Sequence, residues 1–157
     1  MSIGVLFVCL GNICRSPTAQ AVFAQRVAAR GFDQRIRIDS AGTGGWHAGE
    51  PPDARTQRHA RARGYELGSL RARQVVPGDF DNFDFVLAMD RANFAELERM
   101  RPADFGGELD LFLKYGGSPR LEVPDPYYGG ERGFEAVLDL VEDAADGLLE
   151  HLLRTCL

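Results

Sequence analysis

Residues 8–17, Val-Cys-Leu-Gly-Asn-Ile-Cys-Arg-Ser-Pro, lie between two runs of different periodicity, and this junction constrains the fold more than any other stretch. Before it, residues 3–8 form a nearly continuous apolar run with Val5, Phe7 and Val8, the pattern of a strand buried on both faces. After it, Ala19, Val22, Phe23 and Val27 recur at helical spacing. Ser16 suits the N-cap and Pro17 the first helical position, so the helix is expected to point the positive end of its dipole back at the loop. Gly11 and Asn12 tolerate left-handed backbone angles, which lets successive amides of a tight loop turn toward one centre. The expected result is an anion cradle.

Two residue types give the cradle its chemistry. Inward amides, a helix N-terminus and a nearby guanidinium all favour a thiolate over a thiol, which makes Cys9 the candidate nucleophile. Arg15 offers a planar fork that holds two oxygens of a phosphoryl group, while the loop from Leu10 through Gly11, Asn12, Ile13 and Cys14 to Ser16 takes the rest during in-line transfer. The intermediate expected is a phosphocysteine. A cysteine ending a buried strand is in many chains only a small core residue. Here the preceding strand, the Gly-Asn pair, the Ser-Pro pair and the following helix together favour the catalytic reading. A Walker-type phosphate loop is the competing site, but the GK[ST] ending is missing. Cys9 and Cys14 also lack the second cysteine pair or the histidine that would close a zinc site. No metal and no cofactor is expected.

Cys9-Leu10-Gly11-Asn12-Ile13-Cys14-Arg15-Ser16 resembles the signature of the low-molecular-weight protein tyrosine phosphatases. Asp39-Ser40-Ala41-Gly42-Thr43, Gly49-Glu50-Pro51-Pro52-Asp53, Ala72-Arg73-Gln74, Met89-Asp90 and Asp125-Pro126-Tyr127-Tyr128-Gly129 resemble further blocks of that family, in family order and across essentially the whole chain.

The length of 157 residues with 45% hydrophobic content suits a single domain over residues 1–157. A net charge of -5 argues against nucleic acid as a partner, because binding a phosphate backbone wants a basic face. An anionic substrate must then be captured locally by the loop. Residues 1–10 are apolar but lack a basic leader and a cleavage site, and no run approaches the ~20 apolar residues of a membrane span. With three cysteines, one of them a catalytic thiolate best kept reduced, the expectation is a cytoplasmic protein without membrane association, monomeric or weakly dimeric.

Further along, residues 35–39 alternate polar and apolar as a half-exposed edge strand does. Asp53 is placed to cap a helix running toward Arg63. Residues 83–89 are strongly apolar and read as a strand, and Asp90 directly after them is placed to cap a helix carrying Phe94, Leu97 and Met100. Residues 109–113 suit a fourth strand. The Gly-, Pro- and Tyr-rich residues 116–133 read as a functional loop, and Phe134, Val137, Leu138, Val141, Ala145, Leu148 and Leu152 keep helical spacing to the end. Strands alternating with helices imply an α/β fold, a doubly wound parallel sheet of four strands covered on both faces. The resemblance implies strand order 2-1-3-4. Such sheets bind ligands at the carboxyl ends of strands near the point where the chain reverses, where the loop after Val8 falls.

Attack by Cys9 leaves an oxygen to be protonated, and hydrolysing the thiophosphate needs a base; one carboxyl group can serve both steps. Asp125, opening the Tyr-rich loop, is the candidate, although Asp-Pro can equally begin an ordinary turn. The resemblance implies Asp125 as general acid and then base. Trp46, the only tryptophan, lies in a Gly-rich loop and with Tyr127 can flank a phenyl ring, unless it merely packs on its own loop. The resemblance implies Trp46, Tyr127 and Tyr128 as cleft walls, and a deep slot that favours phosphotyrosine over the shorter phosphoserine. Ser16 is placed to donate its hydroxyl to the Cys9 thiolate as well as to cap the helix, and the resemblance implies that Asn12 and Ser40 brace the loop, although ordinary capping and turn chemistry looks identical in sequence. The resemblance also implies that Cys14 can protect Cys9 by forming a disulfide with it. Family members often carry a histidine where this chain has Leu70, which leaves the bracing of Asn12 without an expected partner. Of the three histidines, His47 is placed to touch a substrate, while His59 and His151 read as solvated helix residues.

The partners expected are a tyrosine-phosphorylated protein and phosphate or another oxyanion in the loop. Two other functions are weighed against this one. Thiol-dependent arsenate reduction needs a relay of further cysteines, and none lies between Arg15 and Thr155. A noncatalytic phosphotyrosine-binding module need not keep Cys9, Arg15 and Asp125 together.

Overall fold

A computed structural model describes residues 2–127 and 129–157. Its centre is β1 (Ile3–Cys9), whose alternate side chains enter two different cores. Val5, Phe7 and Cys9 pack with α1 (Arg15–Ala29) and α5 (Glu131–Thr155), whereas Leu6 and Val8 face the other layer. That layer includes α3 (Asp79–Asn82), through Phe80, and α4 (Arg91–Met100), through Leu97. Burial on both faces is why β1 reads as continuously apolar instead of alternating.

Four parallel strands run in the order β2-β1-β3-β4. β2 (Ile36–Gly42) lies at one edge, with Ile3 opposite Ile36 and Cys9 opposite Gly42. β3 (Phe85–Ala88) pairs on the other side, Val5 opposite Phe85, and carries β4 (Glu108–Leu111) at the far edge. The chain therefore reverses its lateral direction beside β1, and the loop after Cys9 opens at the carboxyl ends of the strands, where ligands of such sheets bind.

α2 (Ala54–Ala62) starts where expected: the Asp53 carboxylate accepts from the amides of Arg55 and Thr56. Asp90 caps α4 through Asn93 N at 2.8 Å. The sequence reading has no counterpart of α3, and the strand expected over residues 83–89 is confined to Phe85–Ala88. Three further details depart from it. β2 runs on to Gly42, because it keeps pairing with β1 as far as Cys9, and residues 73–75 add a bridge at its end: Gly42 N donates to Arg73 O and Val75 N to Gly42 O. The strand expected over residues 109–113 ends at Leu111, and a 3-10 turn, Phe112–Tyr115, follows, burying Phe112 against Phe7 at 4.9 Å. α1 begins at Arg15 with Cys14 in the capping position and no side-chain cap, so Ser16 does not fill the N-cap role expected of it. Its hydroxyl is turned to Cys9 instead.

Candidate active site

The loop of residues 9–15 is held from outside by its carbonyls. Thr43 N donates to Cys9 O, Gly44 N to Leu10 O, Asp53 N to Ile13 O, and both the amide and the hydroxyl of Thr18 reach Cys14 O. In a trans peptide the N–H points opposite to the C=O it shares a plane with. Drawing these carbonyls outward therefore turns the amides of Leu10, Gly11, Cys14 and Arg15 the other way, toward the loop's interior. Asn12 N, at φ +58 the only non-glycine left-handed residue among those described, donates to Cys9 Sγ at 3.3 Å. The left-handed turn belongs to Asn12 alone. Gly11 has a different constraint, since a Cβ there would come within 3.0 Å of the His47 ring.

Behind the loop the polar side chains are paired. Ser16 Oγ lies 3.0 Å from Cys9 Sγ and accepts from Asn12 Nδ2 at 2.8 Å. Asn12 Nδ2 also donates to Ser40 Oγ, which in turn donates to Gln20 Oε1 at 2.6 Å. The oxygen of Asn12 accepts from the backbone amide of Arg73 at 3.0 Å. The partner thought missing at Leu70 is thus supplied by the main chain, and Leu70 packs on the core. Gln20 and Arg73 escaped the sequence reading because Gln20 acts through Ser40, which only the pairing of β2 with β1 brings beside α1, and Arg73 acts through an amide every residue possesses.

Arg15 is 3% exposed. Nη1 donates to Asp90 Oδ2 at 2.6 Å and to Val123 O at 3.1 Å, and Nη2 lies 3.5 Å from Asp125 Oδ2. Burial works against its charge, but Cys9, Asp90 and Asp125 outweigh this and raise its pKa further. Asp90 therefore serves twice, with one oxygen on the cap of α4 and the other on Arg15. Its place at the end of β3, next to β1, was the available signal. Burial pushes the Cys14 thiol up to about 12, aided by the charges of Asp53, Cys9 and Asp125. Cys14 stays protonated at neutral pH and is no rival nucleophile.

Cys9, Leu10, Gly11, Ile13, Cys14, Arg15, Trp46, His47, Asp125 and Tyr127 line one cleft of about 300 Å³. Trp46 is 71% exposed, its ring against Gly44 of its own loop, so it forms an open wall while also packing locally. His47 lies between the loop and Tyr127, with Nδ1 3.3 Å from Glu50. Tyr128 lies outside the described residues. His59 and His151 are not the solvated residues expected. His59 stacks on Phe134 at 5.3 Å and is held by Glu131 and Glu135, and His151 packs on Tyr115 and Phe85. Cys156 follows the 25-residue α5, whose first turns flank the acid-bearing loop, so it sits about 37 Å from that end, too far to relay a disulfide. Among the described residues no helix is long and apolar enough to cross a membrane.

Residues 4–156 match the family model described as low molecular weight phosphotyrosine protein phosphatase. The chain is 44% identical over 153 residues to the low molecular weight protein-tyrosine-phosphatase YfkJ of Bacillus subtilis, covering 97% of each. It is 45% identical over 155 residues to the Streptomyces coelicolor low molecular weight protein-tyrosine-phosphatase, covering 95% of this chain and 93% of that one. Among solved structures, an Entamoeba histolytica protein tyrosine phosphatase with Hepes in its active site superposes with a TM-score of 0.95 at 41% identity, over 99% of this chain and 100% of that one.

Proposed function

The chain belongs to the low-molecular-weight phosphotyrosine protein phosphatase family, and from that premise we propose that it hydrolyses phosphotyrosine in proteins through a phosphocysteine on Cys9. The observation that carries this reading is the convergence of Cys9, the buried Arg15 and Asp125 on one cleft walled by Trp46 and Tyr127. Arg15 and the inward amides hold the phosphoryl oxygens, and Cys9 Sγ attacks phosphorus in line. The S–P bond forms as the P–O bond to the phenol breaks, and the departing phenolate takes the proton of Asp125. Water then attacks the phosphocysteine, giving its proton to the Asp125 carboxylate as the S–P bond breaks. Phosphate leaves and the thiolate is restored. Ser16 and Asn12 N stabilise the sulfur's charge at both ends of the cycle.

An aromatic slot above a recessed sulfur favours a phenyl phosphate, whose ring spans the distance that a serine side chain does not. The two free thiols of the loop, Cys9 and Cys14, suit a reducing compartment, in keeping with a cytoplasmic enzyme. Phosphate release from para-nitrophenyl phosphate by the pure, reduced protein is the first test. Cys9→Ser is expected to abolish turnover while phosphate or vanadate still binds. Turnover retained by Cys9→Ser contradicts the assignment, and oxyanion binding without turnover in the wild type supports a noncatalytic binding module instead.

A further inference from the structure

Between the loop that carries the nucleophile and the loop that carries the acid stands Arg55, a half-exposed residue in the first turn of α2. Its Nη2 donates to the carbonyl of Tyr127 at 3.0 Å. Its guanidinium carbon lies over the Tyr127 ring, 5.5 Å from the centroid, and over the Phe134 ring at 5.0 Å. The same group bonds Asp53, Nε to Oδ1 at 3.2 Å and Nη2 to Oδ2 at 3.0 Å. Asp53 is in turn fastened to the nucleophile loop, its amide donating to Ile13 O at 2.9 Å. On the other side Tyr127 is locked to the acid, its amide donating to Asp125 Oδ1 at 3.0 Å. A continuous series of contacts thus runs from Ile13 through Asp53, Arg55 and Tyr127 to Asp125.

We propose that Arg55 is a positioning residue that fixes Asp125 over the cleft by clamping Tyr127 to α2, an inference that rests on Asp125 being the general acid. A planar, fully charged fork suits this place: it bonds a carboxylate and a carbonyl together while lying over two rings, which an ammonium group cannot reproduce. Asp125 is about one-third exposed and lies beyond the Val123 N to Met89 O bond that ties its loop to the sheet. The Tyr127 contact is therefore a second tether on the other side of the acid, and loosening it misplaces the proton donor while Cys9 and Arg15 keep their own supports. Proton donation matters most when the leaving group is poor.

The test compares kcat/KM for phenyl phosphate and dinitrophenyl phosphate in the wild type, Arg55→Met, Arg55→Lys, Asp125→Asn and the Arg55→Met/Asp125→Asn double variant. General acids contribute roughly 100-fold or more, so a misplaced one is expected to cost Arg55→Met about tenfold on phenyl phosphate and less than about twofold on dinitrophenyl phosphate. Arg55→Lys is expected to recover part of that loss, and Arg55→Met to cost nothing further once Asp125 is Asn. The ratio of the two substrates in one preparation is unaffected by any fraction of unfolded protein. An equal loss on both substrates, or an additive loss in the double variant, overturns the role of Arg55. If Asp125→Asn alone leaves the ratio unchanged, the acid assignment itself fails and the inference falls with it; if Asp125→Asn moves the ratio and Arg55→Met does not, only the inference on Arg55 falls.

Discussion

Asn12 joins the shape of the anion loop to its support. It adopts φ +58, is 3% exposed, and its amide group meets Ser16, Ser40 and the Arg73 amide at once. Removing that side chain leaves the partly buried Arg73 N–H without its acceptor and the Ser16 and Ser40 hydroxyls each short of a donor, at about 1–3 kcal/mol for such a group. Asn12→Ala is therefore expected to lower unfolding free energy by about 2 kcal/mol in a urea titration and to reduce kcat as well. A variant with unchanged stability would show that the network behind the loop is not holding it. At this scale Cys9 and Arg15 were singled out by side-chain chemistry and spacing, whereas Asp125, one of 23 acidic residues, was singled out by the family resemblance. The second role of Asp90 and the substitute for the histidine at Leu70 were not, since each depends on which strand or loop comes to lie alongside. Of the two uses read for the Ser16 hydroxyl, the contact with Cys9 is present at 3.0 Å and the helix cap is not, because the cysteine sulfur lies where the hydroxyl is drawn away from the helix start.

Among the elements, α2 links the site to the rest of the fold through its cap. Burial raises the pKa of Asp53, but the Arg55 fork and the amides of Thr56 and Arg55 outweigh it and hold the carboxyl below its ordinary value. A carboxyl depressed in the folded state adds stability above the unfolded pKa and loses it as pH falls through the folded pKa. Asp53→Ala is accordingly expected to cost about 1 kcal/mol at neutral pH, a typical capping contribution, and the gap to wild type should close as pH drops below about 4. A gap that stays constant from pH 7 to pH 3 would refute the charged cap. The long elements were readable from periodicity, as in α5, where Val137, Val141, Leu148 and Leu152 fall on one buried face. The four-residue α3 and the 3-10 turn were not, because four residues are too few to establish a period.

For the molecule as a whole, α5 closes one core, and Gly147 marks where it does so most tightly. A Cβ at this position would sit 1.8 Å from Tyr115 O, so the 3-10 turn after β4 rests directly on the helix backbone. Helix propensity alone would make Gly147→Ala stabilising by up to about 1 kcal/mol. Overpacking of this kind costs typically about 1–3 kcal/mol, so the variant is expected to unfold at lower urea than wild type, and a higher midpoint would show that the contact yields freely. The strand count and the parallel, doubly covered sheet followed from alternating patterns, while the strand order came from family resemblance, since local periodicity carries no information on lateral order.

The central claim is that phosphoryl transfer passes through the sulfur of Cys9, with Arg15 and Asp125 serving the same cleft. Its most direct test is acid quenching of the Asp125→Ala protein during turnover of para-nitrophenyl phosphate, followed by mass spectrometry of its peptides. Slowed hydrolysis of the intermediate is expected to leave one phosphoryl group on the peptide containing Cys9, absent from the Asp125→Ala protein that also carries Cys9→Ser. Turnover with no phosphoryl group on Cys9, or with one on another residue, would contradict the account.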